Sequence, residues 1–181
     1  IETGLRGSDY DALDLIPAAL SFRKLDALLA VKSKDKARLA LKKALSSLAA
    51  SYDLLVIDCP PGMTVLSEAI HEAADLVLCP VIATPLSLMS LKGLDAFIEK
   101  RKLDSAKLWL FVSLFEPRKK VQIESALELE RSGHALLKTR IPYSAEVERM
   151  GVLREPLCAS KPDSKAAFAF SKLWAELRDL L

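Results

Sequence analysis

Short apolar runs alternate with longer amphipathic segments along most of this chain, and this alternation limits the possible folds more than any other sequence feature. Runs such as 54–57 are continuously apolar, as in strands that are buried on both faces of a parallel sheet. Between the runs, apolar residues recur at helical spacing. We therefore predict an α/β fold with a mostly parallel central sheet, helices on both of its faces and right-handed crossovers.

The predicted elements occupy most of the sequence. The strands are 12–16, 53–58, 76–81, 108–115 and 135–141. The helices are 18–31, 34–50, 64–74, 86–102, 119–132, 145–150 and 164–181. Because no repeat, low-complexity tract or linker interrupts this series, we predict that residues 1–181 belong to a single domain.

The composition narrows the classes of protein to which the chain can belong. Apolar residues make up 51% of the 181 positions, which is enough for one domain with a sizeable core. The net charge of +2 argues neither for nor against nucleic-acid binding. The three cysteines form no C-x-x-C pair, so we expect neither a disulfide framework nor a zinc site. No apolar run reaches the roughly 18 residues of a membrane span, and we expect a cytoplasmic protein without stable membrane insertion.

The stretch from Tyr52 to Gly62 is the most specific part of the sequence. Four apolar residues and then Asp58 place a carboxylate at the carboxyl end of a predicted central strand, the edge where open α/β sheets bind ligands. In a nucleotide-hydrolysing fold such an acid holds Mg²⁺, usually through water. The alternative interpretation is that Asp58 only caps the following helix or hydrogen-bonds a loop. Pro60 and Pro61 stiffen the turn that follows.

This stretch, together with the strand at 76–81 and the helix start at 87–94, resembles the ParA/MinD family of deviant Walker P-loop ATPases. The likeness extends over most of the chain. Further matching positions are 13–18, 115–118, 139–143, 146–151, Pro156 and Ala167. The resemblance implies a P-loop NTPase-like three-layer sandwich whose cofactors are ATP and Mg²⁺.

Carried over residue by residue, the resemblance implies that Asp58 is the catalytic Walker B acid and the Mg²⁺ ligand, acting through water. It also implies that Pro142 and Tyr143 fall where the family lines the adenine pocket, although a proline at a strand end is also a simple stop signal. The second switch loop would consist of Cys59, Pro60, Pro61 and Gly62.

The phosphate loop of that family, Lys-Gly-Gly-x-Gly-Lys-Thr/Ser, does not occur in these residues. Without its backbone amides and its lysine, residues 1–181 alone are not expected to hydrolyse ATP. Either a preceding strand, phosphate loop and first helix lie outside this sequence, or the chain is a degenerate member that lost the site. The start at Ile1, without methionine and within an element, favours the first explanation, and so do the unpaired edges that a missing central strand would leave.

The resemblance also implies a partition or positioning ATPase, for chromosomes, plasmids or other large cargo, that forms a nucleotide-dependent homodimer and responds to a ParB-like or other activating partner. Such proteins bind DNA non-specifically through basic residues. The candidates here are Arg118, Lys119 and Lys120, and a denser basic cluster spans 32–43. The alternative interpretation of each group is a solvated face that binds nothing.

Two alternatives stay open. A cobyrinic acid a,c-diamide synthase-like enzyme would use ATP to activate a substrate carboxylate on the same sheet, but no glutaminase segment with a nucleophilic cysteine is recognisable in the sequence. A non-hydrolysing module would use the scaffold only for DNA or protein contacts. The apolar residues of the last predicted helix, 164–181, are expected to pack on the sheet, because its polar positions mix acidic and basic residues.

Overall fold

The computed structural model of the chain describes residues 4–18 and 24–181. The chain consists of two compact units, residues 1–75 and residues 76–181. Each unit has apolar clusters of its own. The assignment of the whole chain to one domain stays a prediction.

In its described residues, the first unit contains a small hairpin and three helices. Its strands β1 (Arg6–Gly7) and β2 (Asp14–Leu15) pair in antiparallel fashion. The helices are α1 (Leu25–Ala30), α2 (Lys34–Leu45) and α3 (Val65–Ala73). The predicted strand at 12–16 is thus reduced to two residues, and its partner β1 was not predicted because a two-residue strand carries no periodic pattern.

The three helices of the first unit pack around a small apolar cluster. Leu29 of α1, Ala37 of α2 and Ala69 of α3 are its buried members. Outside it, the Arg38 guanidinium lies 3.1 Å from the Glu72 carboxylate and so joins α2 to α3. Helix α2 ends earlier than predicted, at Leu45, and the hydroxyl of the following residue, Ser46, donates a hydrogen bond to the Lys43 carbonyl at 2.8 Å.

The second unit is built on a parallel sheet with the strand order β3-β4-β5. Its strands are β3 (Val77–Ile82), β4 (Leu108–Phe115) and β5 (Ala135–Pro142). Its helices are α4 (Pro85–Arg101), α5 (Lys120–Arg131), α6 (Ala145–Leu153), α7 (Leu157–Ser160) and α8 (Lys165–Arg178). Apart from the short α7, the sequence predicted each of these elements to within a few residues.

Strand β4 shows why this sheet is covered on both faces. Leu110 and Val112 belong to a cluster that includes residues of α4 and α5, whereas Phe111 belongs to a cluster that includes α8. Because successive side chains of a strand point to opposite faces, a continuously apolar strand needs a helix layer on each side. The predicted α/β fold, with a parallel sheet and helices on both faces, is confirmed.

A carboxylate from α8 stabilises the middle of β5. The register between β4 and β5 shifts there, since Leu110 pairs with Leu136 but Val112 pairs with Arg140. The backbone amides of Lys138 and Thr139 donate instead to the Glu176 carboxylate, at 2.7 and 2.9 Å. The irregular segment therefore leaves no unsatisfied donor at these two positions.

The prediction of a strand at 53–58 is wrong for this structure. The segment pairs with no other described residue, and Leu54, Leu55 and Val56 are 43%, 38% and 85% exposed. The physical reason is that a strand forms only when a neighbour accepts and donates its backbone hydrogen bonds. Part of the predicted helix at 18–31 falls at 19–23, outside the described residues. Among the described residues, no helix is long and apolar enough to span a membrane.

Candidate functional site

Asp58 lies in an irregular, exposed segment of the first unit. It is not at the end of a strand, so the prediction that this carboxylate lies at the carboxyl end of a central strand is wrong. Its carboxylate forms no hydrogen bond or ion pair with the described residues, which leaves its oxygens available. A single free carboxylate fits Mg²⁺, which takes few protein oxygens and keeps most of its water. The chain contains no glycine-rich phosphate loop that would hold the nucleotide itself.

The segment that contains Asp58 is held at its amino-terminal end by a tyrosine. The Tyr52 hydroxyl donates a hydrogen bond of 2.5 Å to the Asp14 carboxylate of β2. This hydrogen bond, together with partial desolvation and the negative charge of Asp14, raises the pKa of Tyr52. The tyrosine therefore stays protonated and keeps donating well above neutral pH.

The loop after Asp58 is held at its carboxyl-terminal end by the start of α3. Gly62 has a φ of +130°, which only glycine adopts readily, and its carbonyl accepts a hydrogen bond of 2.6 Å from the Ser67 hydroxyl. Thr64 caps the helix, because its hydroxyl accepts from the Ser67 amide at 3.4 Å and its own amide donates back to the Ser67 hydroxyl at 3.3 Å. The last residue of the loop is thus tied to the first turn of a helix.

A carboxylate from another helix reaches the same turn. Oδ1 of Asp26, on α1, accepts a hydrogen bond of 2.9 Å from the backbone amide of Leu66. This contact was not predicted from the sequence, because no local pattern relates positions that are 40 residues apart. The cap at Thr64, in contrast, was recognisable from its residue type just before an amphipathic run.

The predicted switch-loop residues Cys59, Pro60, Pro61 and Gly62 are all exposed. The Cys59 thiol donates a weak hydrogen bond to the Ile57 carbonyl at 3.4 Å. Partial desolvation, and secondarily the neighbouring Asp58 carboxylate, raise the pKa of Cys59. The thiol is therefore protonated at neutral pH, and a protonated thiol is a poor nucleophile.

Pro142 and Tyr143 lie in the second unit, at the carboxyl end of β5. The Tyr143 amide donates to the Phe115 carbonyl at 3.1 Å, so the ends of β4 and β5 are joined there. The phenol ring is half exposed, and its pKa is raised first by a hydrogen bond to Glu148 and further by the charges of Glu148 and Glu116. The arrangement is an exposed aromatic ring beside carboxylates at the ligand-binding edge of a parallel sheet.

The basic residues predicted to contact DNA differ in how far they are neutralised. The Nζ atom of Lys119 lies 2.5 Å from Oε1 of Glu116, and that of Lys120 lies 3.7 Å from Oε1 of Glu124. Arg118 is exposed and forms no ion pair with the described residues. In the cluster at 32–43, Arg38 is paired with Glu72. Its lysines are exposed and without ion pairs in the described parts of the chain: Lys32, Lys34, Lys36, Lys42 and Lys43.

Comparisons with known proteins give consistent results. A family model described as "AAA domain" matches residues 1–108. A "ParA family protein" of Chlamydia muridarum is 27% identical over 184 residues, which cover 98% of this chain and 71% of that protein. The chain spans 66% of the length of another curated relative, from Pseudomonas putida.

Solved structures show the same fold. A putative plasmid partition protein from Borrelia burgdorferi bound to AMPPNP matches with a TM-score of 0.79 and 20% identity, over 99% of this chain and 69% of that one. The cobyrinic acid a,c-diamide synthase of Mycobacterium smegmatis matches with a TM-score of 0.68 and 21% identity, over 97% and 65% of the two chains. At these identities both likenesses are of fold alone.

Proposed function

Because this chain belongs to the ParA/MinD-type family of P-loop ATPases, we propose that it is the larger part of a partition or positioning ATPase. The protein uses Mg-ATP-dependent homodimerisation and slow hydrolysis to position DNA or another large cargo in the cytoplasm, with a ParB-like or other activating partner. The observation that carries the proposal is the free carboxylate of Asp58, followed by the Cys-Pro-Pro-Gly loop that is tied to α3. The relatives named above, a ParA family protein and a partition protein bound to AMPPNP, support it.

In this proposal Asp58 is the residue that would hold Mg²⁺, through water. Mg²⁺ supplies neutralisation of phosphate charge when it is bound. Pro60 and Pro61 restrict the loop, so that it moves as a unit, and the Ser67–Gly62 hydrogen bond passes that movement to α3. Pro142 and Tyr143 contribute an apolar and aromatic surface for the adenine base.

We further propose that the phosphate loop lies in a preceding part of the protein, with a strand that pairs with 53–58. Two observations support this. The curated relatives are longer than the chain, which spans 66% and 71% of two of them. In addition, Leu54, Leu55 and Val56 are exposed in an unpaired segment, and a strand added beside them would satisfy its backbone and cover its apolar side chains.

DNA is the cargo or platform that the basic residues favour. Arg118 is the least neutralised of the three candidates at 118–120, whereas Lys119 and Lys120 are partly neutralised by their glutamate partners. The unpaired lysines at 32–43 provide a second basic surface. A cobyrinic acid a,c-diamide synthase-like role requires a carboxylate substrate, so hydrolysis of ATP without such a substrate distinguishes the two functions. A non-hydrolysing module would show no turnover at all.

The test is the substitution Asp58→Asn in the full-length protein, measured by phosphate release and by analytical ultracentrifugation with ATP and Mg²⁺. We expect hydrolysis to fall roughly tenfold or more and the nucleotide-dependent dimer to weaken, because the Mg²⁺ ligand loses its charge. Asp53→Asn is the matched control, since Asp53 is an exposed carboxylate at the start of the same segment. Unchanged hydrolysis and dimerisation in Asp58→Asn would contradict the proposed role.

A further inference from the structure

We propose that Asp26 is a positioning residue, which fixes the first turn of α3 and through it the carboxyl-terminal end of the loop 58–62. This inference rests on the proposed function of that loop. Asp26 forms no hydrogen bond with Asp58 or with the loop residues 59–62. It acts through the backbone of α3, by way of the hydrogen bond from the Leu66 amide to its Oδ1 atom at 2.9 Å.

The start of α3 needs the Asp26 carboxylate as a hydrogen-bond acceptor. The first amides of a helix have no partner within the helix. Thr64 supplies an acceptor for the Ser67 amide, but its single hydroxyl leaves the Leu66 amide without one. Asp26 fills that position from α1, and a negative charge at the amino-terminal end of a helix is also favoured by the helix dipole.

The turn of α3 that Asp26 holds is also the turn that binds the loop before it. Ser67, the residue after Leu66, donates its hydroxyl to the Gly62 carbonyl at 2.6 Å and accepts from the Thr64 amide at 3.3 Å. Consecutive residues of one helical turn therefore connect α1 on one side with the loop on the other. If the Leu66 amide loses its acceptor, the turn becomes freer to fray and the anchor of Gly62 becomes looser.

Apolar packing holds this turn but does not orient its backbone amide. Val65 and Leu66 pack against the cluster of Leu29, Ala37 and Ala69, so the two helices stay in contact without Asp26. That contact sets the distance between the helices. Asp26, by its directional hydrogen bond, fixes the backbone of the first turn.

The experiment compares Asp26→Ala with Asp26→Asn in the full-length protein. Asparagine retains a side-chain oxygen that can accept from the Leu66 amide, whereas alanine does not. We expect Asp26→Ala to speed hydrogen exchange at the Leu66 amide roughly fivefold, in line with the loss of a helix cap, and to raise the Mg²⁺ concentration needed for half-maximal hydrolysis. Asp26→Asn should stay close to the unsubstituted protein in both measurements. Asp35→Ala is the matched control, because Asp35 is an exposed acid in the first turn of α2.

The outcomes separate this inference from the proposed function. Unchanged exchange at Leu66 in Asp26→Ala would overturn the positioning role, whatever happens to hydrolysis. Faster exchange with an unchanged Mg²⁺ requirement would confine Asp26 to helix capping and would also overturn it, as would an Asn variant as impaired as the Ala variant. Failure of the proposed function is recognised independently, by Asp58→Asn retaining full hydrolysis.

Discussion

The two units of the chain differ in whether an apolar, strand-like segment is buried. In the second unit, Leu110 of β4 is completely buried between its neighbouring strands and the helix layers. In the first unit, Val56 lies in a run of the same character and is 85% exposed. Strand pairing accounts for the difference, since β4 has a partner on each side and 53–58 has none among the described residues. Apolarity makes burial favourable, but only a neighbour that satisfies the backbone makes it possible.

The units also differ in what holds their functional segments. In the second unit, Tyr143 follows a strand that pairs with β4 towards both of its ends. In the first, the segment around Asp58 is fixed at its two ends by polar contacts, from Tyr52 to Asp14 and from Ser67 to Gly62. A segment that is anchored at its ends and free between them is suited to accept an added strand or to change its conformation with a bound ligand.

The largest expected effect is on the free energy of unfolding, and it tests the difference in burial between β4 and the segment 53–58. Leu110→Ala should lower the free energy of unfolding by about 2–5 kcal/mol, because it leaves a cavity in a closed core. Leu54→Ala should cost less than about 1 kcal/mol in residues 1–181, where the side chain is substantially exposed. Urea denaturation followed by circular dichroism measures both, and Trp109 and Trp174 report fluorescence from the second unit alone.

The same two substitutions, made in the longer protein, test whether the segment 53–58 becomes buried there. If a preceding strand pairs with 53–58, Leu54→Ala should there become about as costly as Leu110→Ala, since both side chains would then be buried. A Leu54 variant that stays neutral in the full-length protein would argue against the added strand.

An intermediate effect is expected at two glycines, one in each unit. Gly62 has a φ of +130° and Gly133 a φ of +83°. Gly62→Ala should cost roughly 1–3 kcal/mol, because the conformation is strained for alanine and the new Cβ would lie 3.4 Å from the Thr64 methyl group. Gly133→Ala should cost about 1 kcal/mol, since it adds backbone strain without a steric contact. Equal losses in urea denaturation would show that the loop of the first unit relaxes freely around residue 62.

The smallest expected effect concerns Glu176 of the second unit. Burial raises the pKa of this carboxyl, but hydrogen bonds from the Thr139 hydroxyl and from the amides of Lys138 and Thr139 together lower it below its ordinary value of 4.5. A lowered pKa stabilises the fold above the unfolded-state pKa, and that contribution is lost as the pH falls through the folded-state value. Because the Glu176 carboxylate is partly exposed, solvent screening limits this contribution, and Glu176→Gln should cost about 0.5–1 kcal/mol at neutral pH. The difference from the unsubstituted protein should shrink below about pH 4.5, and a difference independent of pH would contradict this assignment.

Much of the second unit was predictable because its patterns are local. The boundaries of β4 were obtained from an eight-residue run in which only Ser113 is polar, and the helical spacing at 119–132 predicted α5 to within one residue at each end. The residues that complete the candidate site were not predictable. Asp26 and Leu66 are 40 positions apart, and so no helical or strand period relates them. In the sequence, Glu176 is simply a polar residue of α8. Its role depends on the irregular register of β5, which leaves two backbone amides beside it without a partner in β4.

The sequence by itself determined the alternation of strands and helices, the family to which the chain belongs and the position of Asp58 in its motif, because these depend on residue types at short spacings. The tertiary structure alone decided that 53–58 is unpaired, that Tyr52 and Ser67 anchor the ends of the loop segment and that Asp26 completes the start of α3. Such outcomes depend on which distant backbone and side-chain groups come within hydrogen-bonding distance of each other. Every buried donor and acceptor needs a partner, and the chain path, not the local pattern, determines which partner is within reach.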